Sequence, residues 1–466
     1  MTVVPRVVIV GGGMGGIAAA KKLAHAPVTV TLVDSHNYSL FQPLLYEVAG
    51  AIVNTEDVTH AIRGLLRGQT NARVRLGTAA SVELERRALV LEDGERLGYD
   101  YLILATGLRS DVTRVPGAAV HAFPMKTLDD ALRLRNHLLR RLETVAAHPE
   151  LLAAGALDIV IVGGSTTGVE VVAAFSEIYN HALRDEFPEI DFTKAKITLV
   201  EAGETLLPAF HANLRRWAER VLVDNGAVVR LRSPVAEIGP ASVTLADGEE
   251  ITAGTIVVAT GVRATALADS LGIRQIGGRL VVEPNLGLPG HPEVFAIGDM
   301  AGLPRRDGEL QPALAQFALQ GGRHVAREIL RQLKAEPSRP FRYRDKGMTS
   351  MVGYNAAVLQ SGRLRITGGL AFFLWGALHG YYVPGLRNRL SLRLTWLWSW
   401  ATRRRAALLL IGQPAPTIQP SPGGADGTEL DDPAAVRERA GPSGLAARPD
   451  LRPPAPQHSA PPGTSS

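Results

Sequence analysis

A chain of 466 residues with 46% apolar content is long enough for about three domains with sizeable cores. It has no cysteine, which excludes a redox dithiol, a cysteine-held iron–sulfur cluster, a thiolate zinc site and a disulfide framework; no metal is expected, and any electron carrier must be a bound organic cofactor. The net charge of +5 is unevenly placed: residues 363–405 hold eight arginines and no acid, so the rest of the chain is slightly acidic.

The first apolar run begins within six residues of the start, too soon for a signal peptide, and a protein on the cytoplasmic side is expected. That run, Val7 to Val10, leads into Gly11-Gly-Gly-Met-Gly-Gly16, a helical pattern from Ile17 to Leu23, and a second run from Val28 that closes on Asp34. Strand, glycines, helix, strand and acid in this order form a dinucleotide-binding unit. Helix-start N–H groups face a pyrophosphate, the glycines let the phosphates approach the backbone, and the acid accepts the ribose hydroxyls. Short strands are expected at 73–77, 81–85 and 88–92, then Tyr99-Asp-Tyr-Leu-Ile-Leu-Ala-Thr-Gly107. A helix follows over 128–152, with Leu132, Leu138, Leu139 and Leu142 on one face.

The device then recurs. Ile159 to Val162 precedes Gly163-Gly-Ser-Thr-Thr-Gly168, a helix over 169–178 and a strand that closes on Glu201. Ser165 replaces the middle glycine, and the polar stretch 181–194 places the acid unusually far from the glycines. Glu201 would repel a 2′-phosphate, and no arginine follows closely, which favours NADH over NADPH. Thr255-Ile-Val-Val-Ala-Thr-Gly261 echoes the end of the first unit, so the repeat covers whole domains. Val294-Phe-Ala-Ile-Gly-Asp299 reads as a strand returning to the first sheet. The expected partition is a discontinuous first domain (1–115 and 270–335), a second (116–269), a C-terminal domain (336–412) and a disordered proline-rich tail (413–466).

Residues 366–386 carry no charge, enough to span a bilayer, but Gly368-Gly369, His379-Gly380 and Pro384-Gly385 interrupt them. Two interfacial amphipathic helices are expected instead, about 369–382 and 386–402. Leu386, Leu390, Leu394 and Leu397 recur at helical spacing, Arg387, Arg389 and Arg393 can reach phosphates, and Trp375, Trp396, Trp398 and Trp400 suit the headgroup level. Arg403-Arg-Arg405 adds attraction to anionic lipid. The apolar content favours a membrane over nucleic acid, and the same residues can also form a dimer interface.

Taken together, Gly11-Gly-Gly-Met-Gly-Gly16, Asp34 with Asn37-Tyr38 and Phe41-Gln-Pro-Leu-Leu-Tyr46, Gly168-Val-Glu170, Gly298-Asp299, Ala315-Gln-Phe-Ala-Leu-Gln320, Asp345-Lys-Gly347 and Gly385-Leu-Arg-Asn-Arg389 resemble the type II NADH dehydrogenases, over about residues 5–405. Ser165 and Val258-Ala-Thr-Gly261 depart from the family pattern, as does the tail. The resemblance implies an α/β fold class with two Rossmann-like dinucleotide-binding domains, a disulfide-reductase-like flavoprotein fold, and a C-terminal membrane-anchoring domain. It implies a non-proton-pumping NADH:quinone oxidoreductase, peripheral on the cytoplasmic face of the cell membrane and dimeric. A soluble flavin reductase serving ferredoxin or rubredoxin, or a flavin-bearing NADH sensor, is the alternative.

By the same resemblance FAD lies at Gly11, Gly12, Gly13, Gly16, Asp34, Gln42, Thr106, Gly107, Asp299, Ala315 and Gln316, and a helix end near Ala315 faces the flavin. NADH as substrate lies at Gly163, Gly164, Ser165, Gly168, Glu170, Glu201 and Gly261. Glu170 stands between nicotinamide and flavin, as a helper of hydride transfer or of proton supply. Gln316 and Gln320, four residues apart on one helix face, can offer amide hydrogen bonds to a menaquinone or ubiquinone carbonyl. Lys346 is assigned to the quinone entrance.

Overall fold

The computed structural model describes residues 4–305, 307–402 and 408–410. The tail expected over 413–466 and the Arg403–Arg405 cluster lie outside them. From the start of the chain, β1 (Arg6–Val10), α1 (Met14–Lys22) and β2 (Thr29–Asp34) form the expected unit, with β1 and β2 parallel. Glycine is obligatory at two places in the turn. Gly11 has φ +109°, and a Cβ on Gly16 would lie 1.9 Å from the Gly11 carbonyl oxygen. A short helix, α2 (Leu45–Ala49), follows, then β3 (Ala72–Leu76), which adds to the outer edge of β2, and β4 (Tyr101–Leu104), which pairs with the other side of β1. Residues 79–83, 88–91 and 96–98 form a separate antiparallel sheet between these two strands.

The second unit opens with β5 (Phe123–Pro124) and α3 (Leu128–Ala147). Thr127 and Asp130 exchange side-chain-to-backbone hydrogen bonds at the start of α3, which fixes the preceding loop. Next come β6 (Ile159–Val162), α4 (Thr166–Glu177), β7 (Ile197–Val200), α5 (Ala212–Asp224), β8 (Ala227–Arg230) and β9 (Thr255–Val258). All five strands are parallel, in the spatial order β5-β9-β6-β7-β8, and the three central strands are buried at every position because helices cover one face and the antiparallel strands within residues 235–252 cover the other.

The first sheet is completed late. β10 (Gly287–Leu288) and β11 (His291–Ala296) join it beyond β4, with β11 parallel to β4. The slot beside the Ala-Thr-Gly strand is therefore filled by a late strand in one unit and by an early one, β5, in the other. α6 (Ala315–Leu333) packs backbone-close on α1: a Cβ on Gly322 would lie 2.2 Å from the Gly15 carbonyl oxygen.

The C-terminal part contains an antiparallel sheet that the sequence reading missed: β12 (Met348–Gly353), β13 (Ala356–Ser361) and β14 (Leu364–Thr367). Met351, Val352, Ala357 and Val358 belong to the same core cluster as the second nucleotide unit. α7 (Gly368–Tyr382) and α8 (Leu386–Thr402) match the two expected helices, and Gly385, at φ +85°, makes the turn between them. No helix among the described residues is long and apolar enough to cross a membrane.

Two expectations for this region need correction. Trp375 is 2% exposed and packs on the half-buried Trp396, ring centroids 5.1 Å apart, so these two tryptophans build core rather than a headgroup belt. Their rings fill the space between α7 and α8, whereas Trp398 and Trp400 remain outside. Arg389 is also committed inward: its Nε donates to the Val383 carbonyl at 2.8 Å and its guanidinium lies over the Tyr381 ring.

Candidate active site

A cavity of about 930 Å³ runs from the glycine turn before α1, past the loop ahead of α3 and the starts of α4 and α6, to the inner side of α7. It opens beyond the carboxyl ends of the first sheet's strands, where doubly wound sheets place their ligands. Gly11, Gly13, Asp34, Gln42, Thr106, Gly107, Asp299, Ala315 and Gln316 all line it.

The two strand-end acids have equivalent geometry. Asp34 accepts the Gly12 N–H at 2.6 Å and the His36 N–H at 2.7 Å; Glu201 accepts those of Gly164 and, at 2.6 Å, Gly203. Each acid thus fastens its own glycine turn, and a carboxylate oxygen can accept more than one hydrogen bond. The serine departure also has a physical reason. Gly13 and Ser165 take the same extended backbone at the helix start, and a Cβ at Gly13 would have open space around it. Ser165 turns its hydroxyl to the Ala259 carbonyl, 3.3 Å away. Gly107 and Gly261 match as well, with φ +69° and +70°.

At the second unit, Gly163, Gly164, Ser165, Gly168, Glu201 and Gly261 lie at their own turn, outside the cavity lining, whereas Thr166, Thr167 and Glu170 at the start of α4 reach into it. Glu170 is buried; burial pushes its carboxyl well above the usual range, the Met351 N–H and the Ser350 hydroxyl pull it down, and Glu47 raises it further. The sequence reading had no signal for Glu47, a buried acid on α2 that accepts the Trp396 indole N–H at 2.8 Å.

α6 begins at the cavity without a side-chain cap, so its first N–H groups face the space where charge on a ligand would sit. Gln316 also faces it, and its Oε1 is buried with no partner among the described residues. Gln320 does not share this role. Its amide donates to the Arg344 carbonyl at 2.9 Å and accepts the Arg344 N–H at 3.1 Å, which clasps the chain leading to β12. Lys346 lies outside the cavity lining and reaches the Tyr382 hydroxyl at 3.4 Å, at the rim that Gly347 and Tyr382 form.

Two lining residues were invisible in the sequence. Lys126 reaches Asp299 at 3.4 Å. His379 on α7 donates its Nδ1–H to the Trp375 carbonyl at 2.8 Å, and burial lowers its pKa to about 4, so the ring is neutral. An elongated cavity with a glycine cradle, a strand-end acid, an uncapped helix end and an unpartnered amide oxygen among the described residues fits FAD.

Comparison with known proteins agrees with this geometry. The pyridine nucleotide-disulphide oxidoreductase family pattern matches residues 5–322. The chain is 34% identical over 430 residues to the type II NADH:quinone oxidoreductase Ndh of Mycobacterium tuberculosis, covering 88% of this chain and 91% of that protein. It is 33% identical over 387 residues to the type II NADH:quinone oxidoreductase of Haemophilus influenzae, covering 75% and 86%. The solved structure of NDH2 from Plasmodium falciparum in complex with NADH superposes with a TM-score of 0.78 at 20% identity, covering 85% of this chain and 98% of that one, a likeness of fold. The chain belongs to the type II NADH:quinone oxidoreductases.

Proposed function

We propose that the protein oxidises NADH and reduces a membrane quinone without pumping protons. The carrying observation is the single continuous cavity: it joins the first glycine turn, the start of α4 from the second unit and the inner side of α7. FAD, when bound, supplies the hydride acceptor and the two-electron donor that the side chains lack. Gly11, Gly12, Gly13 and Gly16 would hold its pyrophosphate, Asp34 its adenosine ribose, and Asp299, Thr106, Gly107 and Gln42 the middle of the molecule. Glu201 and the Gly163–Gly168 turn orient NADH.

Gln316 offers an amide to the quinone carbonyl, and Glu170, kept neutral by burial, holds a proton beside it. A neutral acid can give up its proton once the quinone oxygen gains negative charge. The FAD-loaded protein mixed with NADH and a short-chain menaquinone or ubiquinone should consume both in equal amounts. Rapid flavin bleaching by NADH with no quinone reduction would refute the proposal.

The outer faces of α7 and α8 are the proposed lipid contact. Leu370, Phe373, Leu386, Leu390, Leu394, Leu397, Trp398 and Trp400 are all exposed, with Arg387 and Arg393 among them. This supports peripheral docking, for which the cytoplasmic face is the proposed side. Deleting the helices would be a poor test, since Ala371, Trp375 and Leu392 belong to the core. Leu390→Glu with Leu394→Glu should instead abolish sedimentation with anionic vesicles while leaving NADH-driven flavin reduction intact. A homodimer is the competing use of the same face: a mass of two chains in detergent that the double variant halves would favour it.

A further inference from the structure

We propose that Lys126 is the cationic residue of the flavin site, which both positions Asp299 and favours the reduced over the oxidised cofactor. Among the described residues that line the cavity, Lys126 is the only lysine or arginine, against four acids, Asp34, Glu92, Glu170 and Asp299. Its side chain is 19% exposed and that of Asp299 is 20%, so the pair at 3.4 Å is largely removed from solvent screening.

The backbone of Lys126 is held at both ends. Its N–H donates to Asp130 at 3.1 Å, and its carbonyl accepts the Gln42 amide at 3.1 Å. The loop between β5 and α3 belongs to the second unit, yet three of its atoms are tied to the start of α3 and to two first-unit residues at the FAD position. The other cation close to Asp299, Arg279, does not line the cavity, and its Nη1 donates to the Gln311 carbonyl at 2.6 Å.

The chemistry calls for a cation here. Hydride transfer turns NADH into NAD⁺ and moves one unit of negative charge onto a cofactor whose pyrophosphate is already anionic. The start of α6 offers only the partial charge of a helix end. A full charge fixed in a partly desolvated wall stabilises that added charge more than it stabilises the neutral ring.

This inference rests on the FAD reading above, and its test measures the flavin potential. Lys126→Met removes the charge at similar length, Lys126→Gln keeps a donor for Asp299 without charge, and Lys126→Arg keeps the charge. The flavin midpoint potential of each FAD-loaded variant is measured by equilibration with a reference dye. Lys126→Met and Lys126→Gln should lose at least tenfold in the equilibrium favouring reduced flavin, a fall of about 30 mV for a two-electron couple, and Lys126→Arg should stay near the parent.

A purely structural role would weaken FAD binding equally in both redox states and leave the potential unmoved. A parent-like potential in Lys126→Gln overturns the proposal; this variant carries the test if Lys126→Met does not retain FAD. An unmoved potential in a variant that still reduces quinone defeats this inference alone. A parent protein that never reduces quinone defeats the proposed function alone.

Discussion

Replacing Glu170 by glutamine should flatten the pH dependence of stability in a way that reports its protonation state. The carboxyl is buried at the junction of α4 and β12, and desolvation is the largest influence on it, pushing its pKa well above the ordinary value. The Met351 N–H and the Ser350 hydroxyl favour the charged form, and the neighbouring Glu47 opposes it. Because the folded pKa exceeds the unfolded value of about 4.3, the folded protein keeps a proton that the unfolded chain has released. Stability from this group is fully present below the unfolded pKa and is lost as pH rises, by about 1.4 kcal/mol per unit, until the folded pKa is passed.

The Glu170→Gln variant lacks this slope. Its melting temperature relative to the parent should rise from pH 5 upward by about 1.5–2 °C per pH unit, then level off. Melts followed by circular dichroism, in low-salt buffers from pH 5 to 9, measure the difference. A difference that is flat or shrinks as pH rises would show the carboxyl ionised in the folded protein and refute the reasoning. The same variant should slow quinone reduction while NADH-driven flavin bleaching stays near the parent rate, since only the former consumes a proton at this position.

The two glutamines of α6 should separate cleanly. Gln316→Ala should raise the KM for quinone several-fold, whereas Gln320→Ala should leave it unchanged and cost about 1–2 kcal/mol of stability through two lost backbone contacts, read as a drop in Tm. In the first glycine turn, Gly16→Ala should abolish FAD retention, because its Cβ would meet backbone at 1.9 Å, while Gly13→Ser should keep the fold by circular dichroism and weaken only FAD affinity. On the outer face of α8, each leucine that inserts contributes at most about 1.5–3 kcal/mol, so Leu390→Glu alone should weaken partitioning into anionic vesicles by about tenfold or more. Trp396→Phe leaves the buried Glu47 without its indole donor and should lower stability by about 1.5–3 kcal/mol, again measured as Tm.

What could be read from the chain followed from how local each signal was. Gly11, Gly16 and Asp34 announce themselves because a tight turn, a close helix and a strand end constrain consecutive residues, and the same holds for Gly163, Gly168 and Glu201. Ser165 looked like a defect and is none, since the position it fills has ordinary backbone and open space. β12 to β14 passed unread because Met348 to Thr367 have no clean alternation: Ser350 to Gly353 are buried in succession under α4 and α5. Gln320 misled for the reverse reason. Helical spacing does place it with Gln316, but the partner that claims its amide, Arg344, arrives from a stretch whose path no periodicity predicts. Lys126 is a lone lysine in a loop, and only the folded chain shows that no other lysine or arginine among the described residues shares its wall.

The arginine- and tryptophan-rich end has two sides with different tasks. By composition it read as an anchor, yet its inner side supplies Trp375, Trp396 and His379, which close the far end of the cavity or pack the residues that do. Its outer side keeps the exposed leucines and Trp398 and Trp400. Two helices of 15 and 17 residues do both because Trp396 of α8 lies against α7 beside Gly376 and Gly380 and packs on Trp375, which keeps both rings inside.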